Sequence, residues 1–202
     1  MNLIEWSPKS HLSKEKLDFL LKHFLSVPYD VLDLGFVIEV GIYEGGTLLE
    51  MVRHRRTHNF IGYDTFVGLP SLTEQDRNTD EPHNLGDFSV SSDREHFMCD
   101  AMERMQLYFA TQGAVSIFCR EFPINVGDYP ISFAHVDVDL YHSTSESLKY
   151  LARNMIKGGK VVVDDYGWQR TPGVEIAVDS VDSADFKVID RSEWHQIVLE
   201  HR

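Results

Sequence analysis

The fold is decided by the stretch FVIEVGIYEGGTLLEMVR, residues 36–53. It opens with a short apolar run that ends at Gly41, and Gly45-Gly46 then leads into a segment with helical spacing of apolar residues and a basic end at Arg53. This order predicts a buried strand, a glycine turn and a helix. Glycines at such a turn let the backbone approach a ligand closely at the start of the helix.

The rest of the chain extends this pattern into a sheet. Apolar runs at 59–66, 115–119, 131–139 and 160–166 predict four further strands, and helical segments are predicted near 91–111 and 142–156. Strands of this kind, separated by helices, indicate a parallel sheet covered on both faces. Two last runs, 185–190 and 194–200, are joined by only three residues and predict an antiparallel hairpin at one edge.

Composition limits the class of protein. The 202 residues fit one domain, and 32 acidic against 19 basic residues, a net charge of −13, argue against nucleic-acid binding as the main task. No apolar run reaches the ~20 residues of a membrane span, and the N-terminus lacks a signal-peptide pattern, so a soluble, cytoplasmic protein is expected. The two cysteines, Cys99 and Cys119, form no CxxC motif, so neither a disulfide framework nor a thiolate metal site is indicated.

Two segments lie outside the alternating pattern. Residues 1–35 read as a helical N-terminal extension, in which 13–26 has apolar residues at helical spacing and packs either on the core or on the partner subunit of a homodimer. Residues 67–90 are polar, contain two prolines and are too long for a simple connection. They are expected to be an active-site lid loop, with a disordered insertion at 71–85 as the alternative.

Acidic side chains cluster at the predicted strand ends. Asp137 and Asp139, two residues apart, should share one face of a strand, and Asp164-Asp165 ends the next strand. The nearest lysines in sequence lie away from this edge, so a bound cation is the expected compensation. The oxygen-only set Asp137, Asp164 and Asp165 suits Mg²⁺ before Ca²⁺. The alternative is that Asp139 and Asp165 cap following segments, and His135 is expected to be a hydrogen-bonded core histidine.

The glycine turn suggests the type of cofactor. It is not a GxGxxG motif, and Glu39, two residues before Gly41, would repel a pyrophosphate but attract an ammonium group. Asp64, at the end of the second strand, is placed to accept hydrogen bonds from a ribose diol. Together these residues point to a nucleotide that bears an amino acid rather than to NAD.

Five segments then carry a resemblance to a known family. They are IEVGIYEGGT (38–47), GYDTFVGLP (62–70), GDFS (86–89), DVDLY (137–141) followed by Ser143-Thr144, and VDDYG (163–167). In this order they resemble the macrocin O-methyltransferase family, class I S-adenosylmethionine-dependent enzymes that methylate sugar hydroxyls of natural products with Mg²⁺. The resemblance runs from about residue 37 to residue 178.

The resemblance implies a Rossmann-like class I methyltransferase fold: a seven-stranded, mainly parallel sheet with a C-terminal antiparallel hairpin and helices on both faces. It implies S-adenosylmethionine and Mg²⁺ as cofactors and a sugar-like small molecule as hydroxyl acceptor. By position, Asp139 is the general base and Asp137, Asp164 and Asp165 are the metal ligands. The expected cofactor-binding residues are Glu39, Gly41, Tyr43, Thr47 and Asp64, the first four for the methionine part and the last for the ribose.

Two other readings stay open from the sequence. Asp137-Val138-Asp139, with Lys160 and Asp164-Asp165 further on, is similar to the motifs of aspartyl-phosphate phosphatases, although there the first Asp pair lies near the N-terminus. A non-catalytic protein of the same fold that binds a nucleoside is the other alternative.

Overall fold

The structure is a computed structural model of the chain, and it describes residues 8–77, 82–90 and 105–202. The strands in these residues are β1 (Phe36–Val40), β2 (Asn59–Asp64), β3 (Ala114–Cys119), β4 (Ile131–Val136), β5 (Met155–Val163), β6 (Phe186–Ser192) and β7 (Gln196–His201). The helices are α1 (Lys14–Leu25), α2 (Tyr29–Leu32), α3 (Gly46–His54), α4 (105–110), α5 (Tyr141–Asn154) and α6 (Pro172–Asp179), and a 3-10 turn spans Glu74–Asp76.

The strands form one seven-stranded sheet in the order β3-β2-β1-β4-β5-β7-β6. The first five pair in parallel, whereas β7 pairs antiparallel with both β5 and β6. The predicted fold, a mainly parallel sheet with a C-terminal hairpin, is therefore confirmed. The strand order reverses between β1 and β4, and in open sheets of this kind the crevice at the carboxyl ends of these two strands is where ligands bind.

Both faces of the sheet are apolar because the central strands are buried on both sides. Successive residues, such as Val37 and Ile38 on β1, point to opposite faces. One face packs against α1, α3 and α4, and the other against α5 and α6. This three-layer arrangement makes the sheet a rigid support for the loops at its carboxyl edge.

The helix predicted at 13–26 is confirmed as α1. Ser13 caps it by accepting a hydrogen bond from the Lys16 amide, and Leu20, His23 and Phe24 are buried. Helix α1 therefore packs on the core of its own chain rather than on a partner subunit, as one of the two expectations had it. The homodimer stays a prediction. No described helix has both the length and the apolar character needed to cross a bilayer.

Several predicted bounds are wrong. The strand predicted at 131–139 ends at Val136, and the strand predicted to begin at residue 160 begins at Met155. Of the helix predicted near 91–111, residues 105–110 are helical, and 91–104 lie outside the described residues. The sequence prediction extended β4 too far because Val138 and Leu140 continue the apolar alternation although the chain has already turned.

Candidate active site

A cavity of about 630 Å³ opens at the carboxyl ends of the strands, next to the crevice between β1 and β4. This volume suits a small molecule of the size of a cofactor. Its walls come from the turn after β1, the ends of β2 and β3, the loops after β4 and β5 and the segment that leads into α1. They include Gly41, Tyr43, Asp64, Arg120, Asp137, Asp139, Asp164, Asp165 and Trp168.

The turn after β1 is tightly packed against the chain that leaves β4. Gly41 has a φ of 86°, and a Cβ there would lie 1.8 Å from the backbone oxygen of Asp137. Only glycine permits both this conformation and this approach. Tyr43, with a φ of 48°, also adopts the left-handed conformation. Two of the predicted cofactor-binding residues, Gly41 and Tyr43, are thereby brought to the cavity wall.

Asp64 fixes two turns at this edge. Its Oδ2 accepts a hydrogen bond from the Tyr43 amide at 2.7 Å, and its Oδ1 accepts one from the Phe66 amide at 2.6 Å. Burial raises the pKa of Asp64, and these amides offset part of the rise. Asp64 lies in the cavity wall, and its contact with a ribose hydroxyl stays a prediction.

Glu39 and Thr47 lie behind the turn and, in the described part of the chain, are not among the residues that line the cavity. Glu39 Oε1 and His135 Nδ1 are 2.8 Å apart and both side chains are buried, so His135 is confirmed as a hydrogen-bonded core histidine. Burial raises the pKa of Glu39, and His135 opposes the rise. The Thr47 hydroxyl bonds that of Ser10 at 2.7 Å. Contacts of Glu39 and Thr47 with the methionine part of a cofactor stay predictions.

Four aspartates from two neighbouring parallel strands meet at the cavity. Asp137 follows β4, and Asp164-Asp165 follows β5. Each of these three offers a carboxylate oxygen, and the three oxygens lie within 4.8 Å of one another. Asp139 is adjacent, and its carboxyl group hydrogen-bonds that of Asp165. The four carboxylates that were expected to meet at this edge do lie together, and their roles as metal ligands and base stay predictions.

The route by which Asp139 reaches the cavity differs from the expectation. Asp137 and Asp139 do not share a strand face, because β4 ends at Val136. Asp139 has a φ of 60°, and the Leu140 amide donates to the Val138 carbonyl at 2.6 Å, which closes a tight turn around Asp139. The N-cap residue of α5 is Leu140, which makes no side-chain cap, so Asp139 is not at the capping position of that helix.

A cationic side chain does reach the aspartates, contrary to the expectation. Lys16 Nζ lies 2.8 Å from Asp164 Oδ2 and 2.6 Å from Asp165 Oδ1, and its side chain is only 18% exposed. The sequence contains a signal for this contact: Lys16, Leu20 and Phe24 are spaced four apart, so Lys16 extends the buried face of α1. The prediction missed it because the pair is 148 residues apart in sequence.

One ammonium group does not balance the charge of four carboxylates. Burial and mutual repulsion therefore raise the pKa values of Asp137 and Asp139. Burial is the largest cause that raises the pKa of Asp137 and Asp139 well above the ordinary value. Repulsion from Asp164 and Asp165 adds to the rise, and Lys16 opposes it. Without a cation the ionised forms of these carboxyl groups are therefore disfavoured; if all four were ionised, they would carry a surplus of negative charge that a divalent cation would neutralise.

Other parts of the wall were not predicted as site residues. His11 lies 3.1 Å from Glu44, and its ring packs edge-on against that of Tyr43. Arg120, after β3, and Arg170, after β5, also line the cavity. His11 and Arg120 lie outside the five motif segments, and Arg170 lies three residues after the end of VDDYG, so none of them was marked by a motif.

The loop at 67–90 forms one side of the cavity through Gly68, Leu69 and Phe88. The Leu69 amide donates to the Asp87 carbonyl at 3.0 Å, and the Gly86 amide donates to the Leu69 carbonyl at 3.1 Å. The described parts of this loop, 67–77 and 82–90, are thus hydrogen-bonded into the wall. Its action as a closing lid stays a prediction.

The residues present fit both groups that the sequence implied. For Mg²⁺, the donor set is made of carboxylate oxygens only, and Asp164 Oδ1 is buried with no hydrogen-bond partner among the described residues. For an adenosyl cofactor, the cavity extends from the carboxylates to the turn after β1 and to Asp64. One continuous space therefore joins the turn after β1 and Asp64 to the four carboxylates.

Comparisons with solved structures support the fold. The O-methyltransferase NovP is 21% identical with a TM-score of 0.73, over 96% of this chain and 83% of that one. The calicheamicin methyltransferase CalS11 is 18% identical with a TM-score of 0.64, over 99% and 96%. An apo structure of CalS11, described as a TDP-rhamnose 3'-O-methyltransferase, is 17% identical with a TM-score of 0.57, over 92% of this chain and 77% of that one.

A comparison with curated proteins gave no significant match. The macrocin-O-methyltransferase family, in contrast, matches residues 10–187, which is most of the chain. This match shows that the phosphatase alternative is wrong. In addition, Asp137 and Asp139 of this chain follow β4, whereas the aspartate pair of the phosphatases lies near the N-terminus. The chain belongs to the macrocin O-methyltransferase family and is an O-methyltransferase with the class I fold.

Proposed function

We propose that this chain transfers a methyl group from S-adenosylmethionine to a hydroxyl of a sugar or sugar-bearing small molecule, with the help of Mg²⁺. The observation that carries the proposal is the carboxylate triad Asp137, Asp164 and Asp165 beside Asp139, in the same cavity as the turn after β1 and Asp64. The family match and the sugar O-methyltransferase activity stated for CalS11 support the acceptor class.

The proposed division of labour follows the geometry. Asp64, Gly41 and Tyr43 bind the cofactor along one wall, and Asp137, Asp164 and Asp165 hold the metal at the other. When bound, S-adenosylmethionine supplies an electrophilic methyl group, and Mg²⁺ supplies positive charge that orients the acceptor hydroxyl and lowers its pKa.

Asp139 takes the proton from the acceptor hydroxyl in this proposal. It lies beside the triad, where its carboxyl group hydrogen-bonds that of Asp165, and an ionised carboxylate at this place can accept a proton from a hydroxyl. In this proposal the loop at 67–90 closes over cofactor and acceptor and limits the access of water to the reacting groups. The cytoplasm is the proposed location, and Trp168 is a proposed platform for the acceptor ring.

The test uses TDP-rhamnose as the acceptor probe, with S-adenosylmethionine and either Mg²⁺ or a chelator. The expected result is a product one methyl group heavier by mass spectrometry, formed with Mg²⁺ and lost with the chelator and in Asp137→Asn. Asp182→Asn, a substitution before β6 and far from the cavity, serves as the matched control. Turnover that is insensitive to the chelator would contradict the role of Mg²⁺. Cofactor binding without turnover would contradict the choice of a nucleotide sugar as acceptor.

A further inference from the structure

Asp76 is a buried carboxylate in the loop at 67–90 that the proposed reaction does not use. Only 5% of it is exposed. Its Oδ2 accepts hydrogen bonds from the Thr73 amide at 2.8 Å and from the Thr73 hydroxyl at 2.6 Å, within the 3-10 turn. Its Oδ1 accepts the amide of Tyr141, the first residue of α5, at 2.6 Å. Asp76 thus joins the loop to the start of a helix 65 residues further along the chain.

A glycine makes room for this contact. A Cβ at Gly173, in the first turn of α6, would lie 2.2 Å from Asp76 Oδ1 and 2.9 Å from the Tyr141 amide nitrogen. Gly173 lies in a regular helix, where alanine is intrinsically favoured. The absence of a side chain at this position is therefore what allows the Asp76 carboxylate to reach α5.

The amide that Asp76 holds lies two residues after Asp139. The turn around Asp139 is left-handed, and such a conformation persists in a non-glycine residue only when its surroundings hold it. On its C-terminal side, the turn is held by the bond from the Thr144 amide to the Leu140 carbonyl, at 2.9 Å, and by the bond from Tyr141 to Asp76. Helix α5 has no side-chain cap from the residue that precedes it, so Asp76 acts as its cap from a distance.

We propose that Asp76 is a positioning residue, which holds the turn that presents Asp139 to the acceptor and couples this turn to the loop at 67–90. The role of Asp139 in this statement rests on the proposed function, whereas the contact itself does not. Asp76 is not among the described residues that line the cavity, so it acts through the Tyr141 amide.

The first test measures the geometry. Amide exchange at Tyr141, resolved by NMR, should be about tenfold faster in Asp76→Ala and in Gly173→Ala, since a hydrogen bond to a carboxylate is lost. Asp76→Asn should lie between these and the wild type, because its Oδ1 can still accept the amide. Crystal structures should show that Asp139 leaves the left-handed conformation in Asp76→Ala.

The matched control is Asp182→Asn, because Asp182 Oδ1 also accepts a backbone amide, that of Ala184 at 2.8 Å, but on the surface before β6. Unchanged exchange at Tyr141 in Asp76→Ala, or an unchanged turn at Asp139, would overturn the proposal. An equally large rise in amide exchange throughout β1 and β4 of Asp76→Ala would also overturn it, since Asp76 would then act on global stability alone.

The second test measures catalysis with any acceptor that the wild type methylates. Asp76→Ala should lower kcat about tenfold or more, leave the KM for S-adenosylmethionine unchanged, and be partly rescued in Asp76→Asn. Turnover at the wild-type rate despite a relaxed turn would overturn the positioning role. A wild type that does not bind S-adenosylhomocysteine would instead refute the proposed function, and the exchange and crystallographic results would still decide the contact of Asp76.

Discussion

At the scale of the residue, turnover should depend strongly on Asp139, the proposed base, because its carboxyl group lies beside the proposed metal ligands Asp137, Asp164 and Asp165. Replacing Asp139 by Asn keeps the size of the side chain and removes the base. We expect kcat to fall about 10²- to 10⁴-fold, the range typical for the loss of a general base, with little change in cofactor affinity. Steady-state kinetics together with calorimetric binding of S-adenosylhomocysteine measures both. An equal loss of turnover and cofactor affinity would count against the assignment.

The raised pKa values of Asp137 and Asp139 predict how stability depends on pH without added divalent cations. A carboxyl group whose pKa is raised by folding binds its proton more tightly in the folded chain. Its contribution is therefore fully present below the ordinary value of 3.8 and is lost as pH rises through the folded-state pKa. Urea unfolding at a series of pH values should show this loss, and Asp137→Asn should reduce it.

Added Mg²⁺ should oppose the same loss, because the metal binds the ionised carboxylates. Its stabilising effect should thus grow as the pH rises above the ordinary carboxyl range. If stability varied with pH in the same way with and without Mg²⁺, and in the same way in the wild type and in Asp137→Asn, the electrostatic account of this cluster would be contradicted.

At the scale of the element, the segment from Pro8 through α1 closes one side of the cavity, and Lys16 is its electrostatic contact. Lys16→Met keeps the aliphatic part of the side chain and removes the ammonium group. The metal-free protein should lose about 1–3 kcal/mol of stability. Mg²⁺ should bind on the order of tenfold more tightly, since a competing positive charge is gone.

Thermal unfolding and calorimetry with and without Mg²⁺ measure these two effects of Lys16→Met. Lys14→Met is the matched control, because Lys14 pairs with Asp18 on the exposed side of the same helix, where its side chain is 81% exposed. If the two variants behaved alike, Lys16 would have no specific effect on the carboxylates.

The same segment also packs directly on the glycine turn. A Cβ at Gly46 would lie 2.0 Å from the carbonyl carbon of Lys9, so Gly46→Ala should displace the segment although alanine favours the helix. We expect faster tryptic cleavage at Lys9 and about tenfold weaker binding of S-adenosylhomocysteine. Gly127→Ala is the control, because nothing lies within 4 Å of the added carbon. Equal cleavage rates in the two variants would show that the segment does not depend on Gly46.

Elements with strong local patterns were predictable from the sequence. The strand, turn and helix at 36–53 and helix α1 have clear apolar periodicity, whereas the four-residue helix α2 does not. The end of β4 was misplaced because a tight turn at Asp139 follows an alternation that looks like a strand. Local patterns thus gave the existence of elements, and the hydrogen bonds at their ends decided their limits.

At the scale of the whole molecule, the parallel sheet explains why the carboxylates could be predicted as a group. Residues at the carboxyl ends of neighbouring parallel strands meet at one edge, so Asp64, Asp137 and Asp164 could be placed at this edge from their positions at the ends of the predicted strands. Lys16 and Asp76 were missed because their partners lie 148 and 65 residues further along the chain, so no local pattern joins either residue to its partner.

The central claim is that this edge binds an adenosyl cofactor next to a carboxylate metal site, and calorimetric titration with S-adenosylhomocysteine in the presence of Mg²⁺ tests it most directly. The account predicts micromolar binding to the wild type and to Asp182→Asn, and binding at least about tenfold weaker to Asp64→Asn, which loses an acceptor for a ribose hydroxyl. No heat of binding with the wild type would contradict the account.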